Sequence, residues 1–171
     1  MTAYVALLRA VNVGGTGKLP MTELVAMCER AGFKGAQTYI ASGNALFTTD
    51  RGEAEVRKAL EDELKAYAGK PVGVLVRTAK ELAETVARNP FADQPGNRVV
   101  ALFTDENLPQ DALEAATGQQ DEVVALGKHE LFIHFPTGQA DSRLRLPAMK
   151  TGTARNMNTV MKLAEMAAKL G

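Results

Sequence analysis

Three polar clusters stand in segments that are otherwise apolar or turn-forming, and they hold the residue types that could do chemistry. Arg9 and Asn12 interrupt the run Tyr4-Val5-Ala6-Leu7-Leu8-Arg9-Ala10-Val11-Asn12-Val13. Burying an unpaired guanidinium is costly, so Arg9 must reach water, a carboxylate or a ligand. Ser42-Gly43-Asn44 is a polar tight turn between two apolar stretches. The third cluster runs from Lys150 through Thr151, Gly152, Thr153, Ala154, Arg155, Asn156, Met157 and Asn158 to Thr159. It gathers cations, amides and hydroxyls where the last helix should begin, and unpaired helix N–H groups together with the macrodipole favour anions there. The same residues also suit capping by Thr153 or Asn156, with Arg155 paired to a carboxylate.

A glycine-rich turn, Gly14-Gly15-Thr16-Gly17 followed by Lys18, lies between a predicted strand and a predicted helix. It is not a P-loop: Asn12 stands where that motif needs glycine, and Leu19 follows Lys18 where a hydroxyl should ligate magnesium. It is not a dinucleotide fingerprint either, because Pro20 takes the third glycine position. Backbone N–H groups of such a loop can still hold an anion, and a merely permissive turn explains the glycines equally well.

Other chemistries find little support. His129 and His134 lie on a predicted hairpin at positions of opposite parity, so they point apart and make no metal pair. Cys28 falls on the apolar stripe of a helix and reads as a core thiol rather than a nucleophile. No G-x-S-x-G, S-x-x-K or H-E-x-x-H occurs. No metal site and no cofactor are expected, and the residues leave open whether a reaction is catalysed.

The elements that must position these clusters follow from periodicity. Residues 3–13 read as a buried strand, and Met21, Leu24, Val25 and Cys28 mark a helix starting at Pro20 and stopping at Gly32. Gln37–Ala41 and Ala45–Thr48 make two further strands. Asp50 and Glu53 resemble a capping box for a second helix with Val56, Leu60, Leu64 and Tyr67 on its stripe, ending near Gly69. Val72–Val76 is a fourth strand, and Thr78 with Glu81 opens a third helix that ends before Pro90. The order β-α-β-β-α-β is that of a ferredoxin-like plait. Pro90, Pro95 and Gly96 suggest a boundary, giving a first subdomain over 1–90 and a second over 91–171. The second reads Val99–Thr104 as a strand, 109–116 as a short helix, Glu122–Leu126 and Leu131–Phe135 as a hairpin, and 156–170 as the final helix. That is β-α-β-β-α, the first pattern without its last strand. The expected class is α+β, two alpha-beta plait subdomains in tandem.

Composition sets the outer bounds. The chain has 171 residues, 46% of them hydrophobic and 23% charged, with zero formal net charge. This is an ordinary globular mix. The longest apolar run, Ala3–Leu8, is far short of the roughly 20 residues a membrane span needs, so neither a membrane nor a secretory signal is expected and the cytoplasm is the default. Charge is uneven along the chain: residues 99–142 carry eight acidic side chains against Lys128, and residues 143–171 carry six basic ones against Glu165. With no overall positive field and few aromatic residues, nucleic-acid binding is disfavoured despite the topology.

The polar clusters also carry a family resemblance. Tyr4 to Gly15 with Lys18 is similar to the opening signature of the bacterial family called domain of unknown function 1697. Thr38-Tyr39-Ile40-Ala41-Ser42-Gly43-Asn44 resembles its second motif, and Thr153 to Val160 with Lys162-Leu163 its closing one. Ala10 stands where glycine is common and Met157 where tryptophan is common. The resemblance implies two alpha-beta plait subdomains and no established activity. The function expected from the residues is binding of a small anionic ligand, phosphorylated or carboxylated, by Arg9, Asn12, Gly14, Gly15, Lys18, Ser42, Asn44, Lys150, Arg155, Asn156 and Asn158. The alternative is a non-catalytic module that pairs through an exposed sheet or the basic last helix; the oligomeric state is left open.

Overall fold

In the first third of the chain, apolar residues occupy successive positions rather than alternate ones, which requires a sheet covered on both faces. A computed structural model of the chain describes residues 1–9, 19–40, 43–105 and 113–170. Strand β1 (Thr2–Leu8) lies inside a four-stranded antiparallel sheet of order β2-β3-β1-β4, with β2 Lys34–Thr38, β3 Asn44–Thr49 and β4 Val74–Thr78. Helices α1 (Met21–Arg30) and α2 (Glu53–Ala68) cover one face. Their Leu24, Met27, Cys28, Val56, Leu60 and Leu64 pack with Tyr4, Ala6, Leu8 and Phe47 of the sheet. Phe33 stacks on Phe47 with ring centroids 4.3 Å apart. The odd-numbered β1 residues, Val5 and Leu7, face the other way and are buried as well. Each such aliphatic side chain contributes about 1.5–3 kcal/mol on leaving water.

Element ends follow local chemistry. Gly69 closes α2 at φ 74° and Gly32 follows α1 at φ 85°, left-handed positions that glycine takes without strain. Helix α3 (Ala79–Arg88) opens on the reciprocal capping box expected of Thr78 and Glu81: Thr78 N donates to Glu81 Oε1 at 2.9 Å, and Glu81 N to Thr78 Oγ1 at 3.1 Å. The box expected at Asp50 and Glu53 does not form. Gly52 is the N-cap of α2 and no side chain caps it.

A second four-stranded antiparallel sheet has the order β6-β7-β5-β8, with β5 Val99–Phe103, β6 Val123–Leu126, β7 Glu130–His134 and β8 Thr153–Asn156. This order repeats that of the first sheet, which makes the chain an α+β protein of two ferredoxin-like plaits. Val100, Leu102, Leu131, Ile133 and Phe135 form one face with Leu144 and Leu146. Those two leucines come from the connection between β7 and β8, which among the described residues holds a 3-10 turn, Pro147–Lys150, and no α-helix. Strand β8 corrects the sequence expectation of a loop running into the helix. Its buried positions are Thr153 and Arg155, so its period-two pattern is written in polar residues. Helix α4 accordingly begins at Met157 and runs to Leu170. Of the expected helix at 109–116, residues 109–112 lie outside the described residues and Leu113–Ala115 make a turn.

The chain divides into two compact units, Met1–Leu82 with Leu163–Gly171, and Ala83–Lys162; the division falls within α3 and within α4. Among the described residues, no helix is long and apolar enough to cross a membrane.

Candidate functional site

In the first unit, β1 ends between two glycines. Leu8 N donates to the Gly43 carbonyl and Arg9 N to the Gly73 carbonyl, each at 2.9 Å. A Cβ on Gly73 would stand 3.0 Å from Arg9 Cδ and 3.5 Å from Cγ, so the aliphatic stem of Arg9 lies over the bare Gly73 backbone. Asn44 lies opposite Leu7 in the ladder and is buried. Its Nδ2 donates to the Tyr39 carbonyl at 3.0 Å, and Tyr39 N donates back to the Asn44 carbonyl at 3.2 Å. Arg9 and the Gly43-Asn44 turn thus meet at one end of one sheet. Asn12, Gly14, Gly15, Lys18 and Ser42 lie outside the described residues.

In the second unit, Arg155 is opposite Ala101 across β5 and β8. Its Nη1 donates to Thr153 Oγ1 at 2.7 Å and to the Ala154 carbonyl at 3.0 Å. Burial pushes this guanidinium down to about 10, because a charge removed from water is disfavoured. Asn156 is the cap of α4, its Oδ1 accepting from Thr159 N at 3.0 Å. Asn158 is exposed beside Gly96, where a Cβ would stand 2.1 Å from Asn158 Oδ1. Lys150 is exposed at the end of the 3-10 turn. Gly152 is buried because the chain passes close to β5: a Cβ there would stand 2.5 Å from the Phe103 carbonyl oxygen.

With this geometry in hand, comparison with known proteins is informative. A family model described as protein of unknown function, DUF1697, matches residues 1–132. The chain belongs to the DUF1697 family. It is also similar to the solved structure of SP0830, a conserved bacterial protein from Streptococcus pneumoniae, at 25% identity and a TM-score of 0.81 over 97% of this chain and 98% of that one. No curated protein matches the chain.

Two features of this family member escaped the sequence. Glu130 is buried and accepts from Arg88 Nη2 at 2.8 Å, from Arg88 Nε at 3.2 Å and from His129 N at 2.8 Å. It is a carboxylate satisfied within its own unit. A surface pocket of about 460 Å³ lies among Gln94, Pro95, Asn97, Arg98, His134 and Pro136. Arg98 Nη1 there donates to the Pro136 carbonyl at 2.6 Å, and His134 faces Phe91 with centroids 5.6 Å apart. Arg98 and His134 of that pocket therefore both have structural partners. The only local signal for it was Pro95-Gly96-Asn97, which reads equally as a linker.

Cys28 is buried, and desolvation followed by the Glu29 charge pushes its thiol up to about 12. A thiol of that kind is no nucleophile at neutral pH. Among the described residues, no three His, Cys, Asp or Glu side chains are grouped to hold a metal ion.

Proposed function

We propose that this protein binds a small anionic ligand, phosphorylated or carboxylated, at the end of the first sheet where β1 gives way to the glycine-rich segment. One observation carries the reading: Arg9 is held at the sheet end between Gly43 and Gly73, its backbone fixed and its stem laid over a glycine. A guanidinium whose stem lies on glycine backbone at a sheet end suits a phosphate or carboxylate. The following residues, including Asn12, Gly14, Gly15 and Lys18, add donors of the right kind by sequence, as does Ser42.

A thermal-shift panel of inorganic phosphate, nucleotides, sugar phosphates and small carboxylates tests it. A ligand at about 100 times its Kd adds about 2.7 kcal/mol, which raises Tm by roughly 5–10 °C for a chain of this size. The expected result is a shift lost in Arg9→Gln while the unliganded melting temperature stays unchanged. A silent panel, or a shift that survives Arg9→Gln, overturns the reading.

A further inference from the structure

The two sheets end in four edge strands, and three carry a device that blunts pairing with another chain. Strand β2 has Lys34 and a register shift between Lys34 and Gln37. Strand β4 carries Arg77, and β8 carries Arg155. Charges and bulges of this kind are how proteins protect free edges. Strand β6, Val123-Val124-Ala125-Leu126, has no charge, proline or bulge. Val123 is 48% exposed and Leu126 36%.

The ladder sets which backbone groups of β6 face outward. Gly127 N bonds to the Glu130 carbonyl at 2.8 Å, so the pair 127/130 is hydrogen-bonded. Bonded and non-bonded pairs alternate in an antiparallel ladder. Ala125 opposite Phe132 and Val123 opposite His134 are then bonded, while Val124 and Leu126 direct their N–H and C=O groups away from β7.

We propose that β6 pairs antiparallel with β6 of a second copy of this chain, about a twofold axis at Ala125, joining the second sheets of the two copies. A twofold axis perpendicular to the sheet keeps each side chain on its own face, so facing positions must share parity. Centring on Ala125 sets Val124 opposite Leu126, and both exchange their outward N–H and C=O groups. The same register brings Asp121, exposed at the acidic end of the segment, beside the exposed Lys128 in the turn of its partner. The smallest side chain of the strand falls at the axis, where facing side chains come closest. A segment this short buries far less than the roughly 1,200 Å² of a stable interface, so association is concentration-dependent.

Sedimentation velocity of the full chain across a wide concentration range tests this. The expected result is a reversible monomer–dimer equilibrium. Leu126→Pro removes an outward donor without breaking the ladder to β7, and should raise the dissociation constant about tenfold or more, one bond being lost on each side of the axis. If Leu126→Pro fails to fold, Val123→Lys places a charge on the exposed edge and should have the same effect. Lys128→Glu should weaken association, and Asp121→Lys combined with Lys128→Glu should restore it. A wild-type chain that stays monomeric at every concentration, or a dimer indifferent to Leu126→Pro and Val123→Lys, overturns the proposal.

Discussion

Asn44 and Tyr39 bond to each other twice, side chain to carbonyl and amide to carbonyl, and between them stands Ile40 at a φ of 53°. A β-branched residue in the left-handed region is strained by about 1–2 kcal/mol. Ile40 is also half exposed, so it recovers little of that cost by burial. The buried Asn44 amide is what holds the strained residue in place.

Two substitutions should therefore move stability in opposite directions. Asn44→Ala leaves the Tyr39 carbonyl short of a donor and should cost about 1–3 kcal/mol. Ile40→Asn keeps the backbone conformation with a residue that tolerates it, and should gain about 0.5–1 kcal/mol. Urea titrations of both variants check this; a destabilised Ile40→Asn would mean that Ile40 packs against something worth more than its strain.

Arg155 gives a prediction that runs against the usual effect of a core substitution. Its folded value, about 10, is well below that of an exposed guanidinium. The folded state disfavours the charge, so the penalty is fully present below about pH 10 and fades as pH rises from there toward the value of an exposed guanidinium. Arg155→Met replaces the buried charge with an apolar side chain of similar reach. Taking a desolvated charge out of the interior relieves that penalty, which should outweigh the lost bonds to Thr153 and Ala154. Equilibrium unfolding at pH 7 should show a Tm equal to or above that of the parent protein. A loss of several degrees would make Arg155 a structural residue and remove it from the ligand residues expected from the sequence.

Glu122 supplies the acid limb. Its carboxylate accepts from Ser142 Oγ and from Gln120 N at 2.7 Å, and these bonds, Ser142 foremost, hold it below the ordinary 4.5. A depressed carboxylate stabilises the fold above its unfolded value, and that contribution disappears as pH falls through the lower, folded value. Removing the Ser142 hydroxyl takes away the largest cause. Ser142→Ala should therefore be less stable than the parent protein above about pH 5, where that contribution is fully present, and should lose less on acidification, so that the two curves converge as pH falls. Tm measured between pH 2.5 and about 7 separates the two curves.

The strength of each sequence signal decided what could be read from it. The first plait was legible because Leu24, Cys28, Val56, Leu60 and Leu64 keep helical spacing and the Thr78–Glu81 box has only one sensible meaning. Boundaries drifted where tertiary pairing overrides local preference: β2 runs over Lys34–Thr38, not Gln37–Ala41, because its partner β3 sets the register. Strand β8 was hidden because its buried residues are Thr153 and Arg155, and hydropathy cannot mark an inward-facing arginine. Asn156 was open to either a capping or a ligand role in the sequence, and in the fold its Oδ1 caps α4. Arg9 and Gly73 are 64 positions apart, and nothing local says that one lies over the other.

Gly152 stands in the third polar cluster, one residue before β8, and the structure gives it a packing role. A Cβ at this position would stand 2.5 Å from the Phe103 carbonyl oxygen and 2.9 Å from that of Ala148. Both are backbone atoms. Gly152 N itself donates to the Ala148 carbonyl at 2.8 Å, so the main chain has no room to retreat. Gly152→Ala must therefore part β5 from the start of β8 and should cost about 1–3 kcal/mol, the usual range for overpacking. Gly52 provides the contrast, with nothing within 4 Å of its ideal Cβ. It is the N-cap of α2 at φ −75° and has no side-chain cap, so Gly52→Ser should gain a few tenths of a kcal/mol. Thermal melts of the two variants should bracket the parent protein. If Gly152→Ala melts with the parent, β8 is held less tightly against β5 than this contact requires, and the burial of Arg155 on that strand must be reconsidered with it.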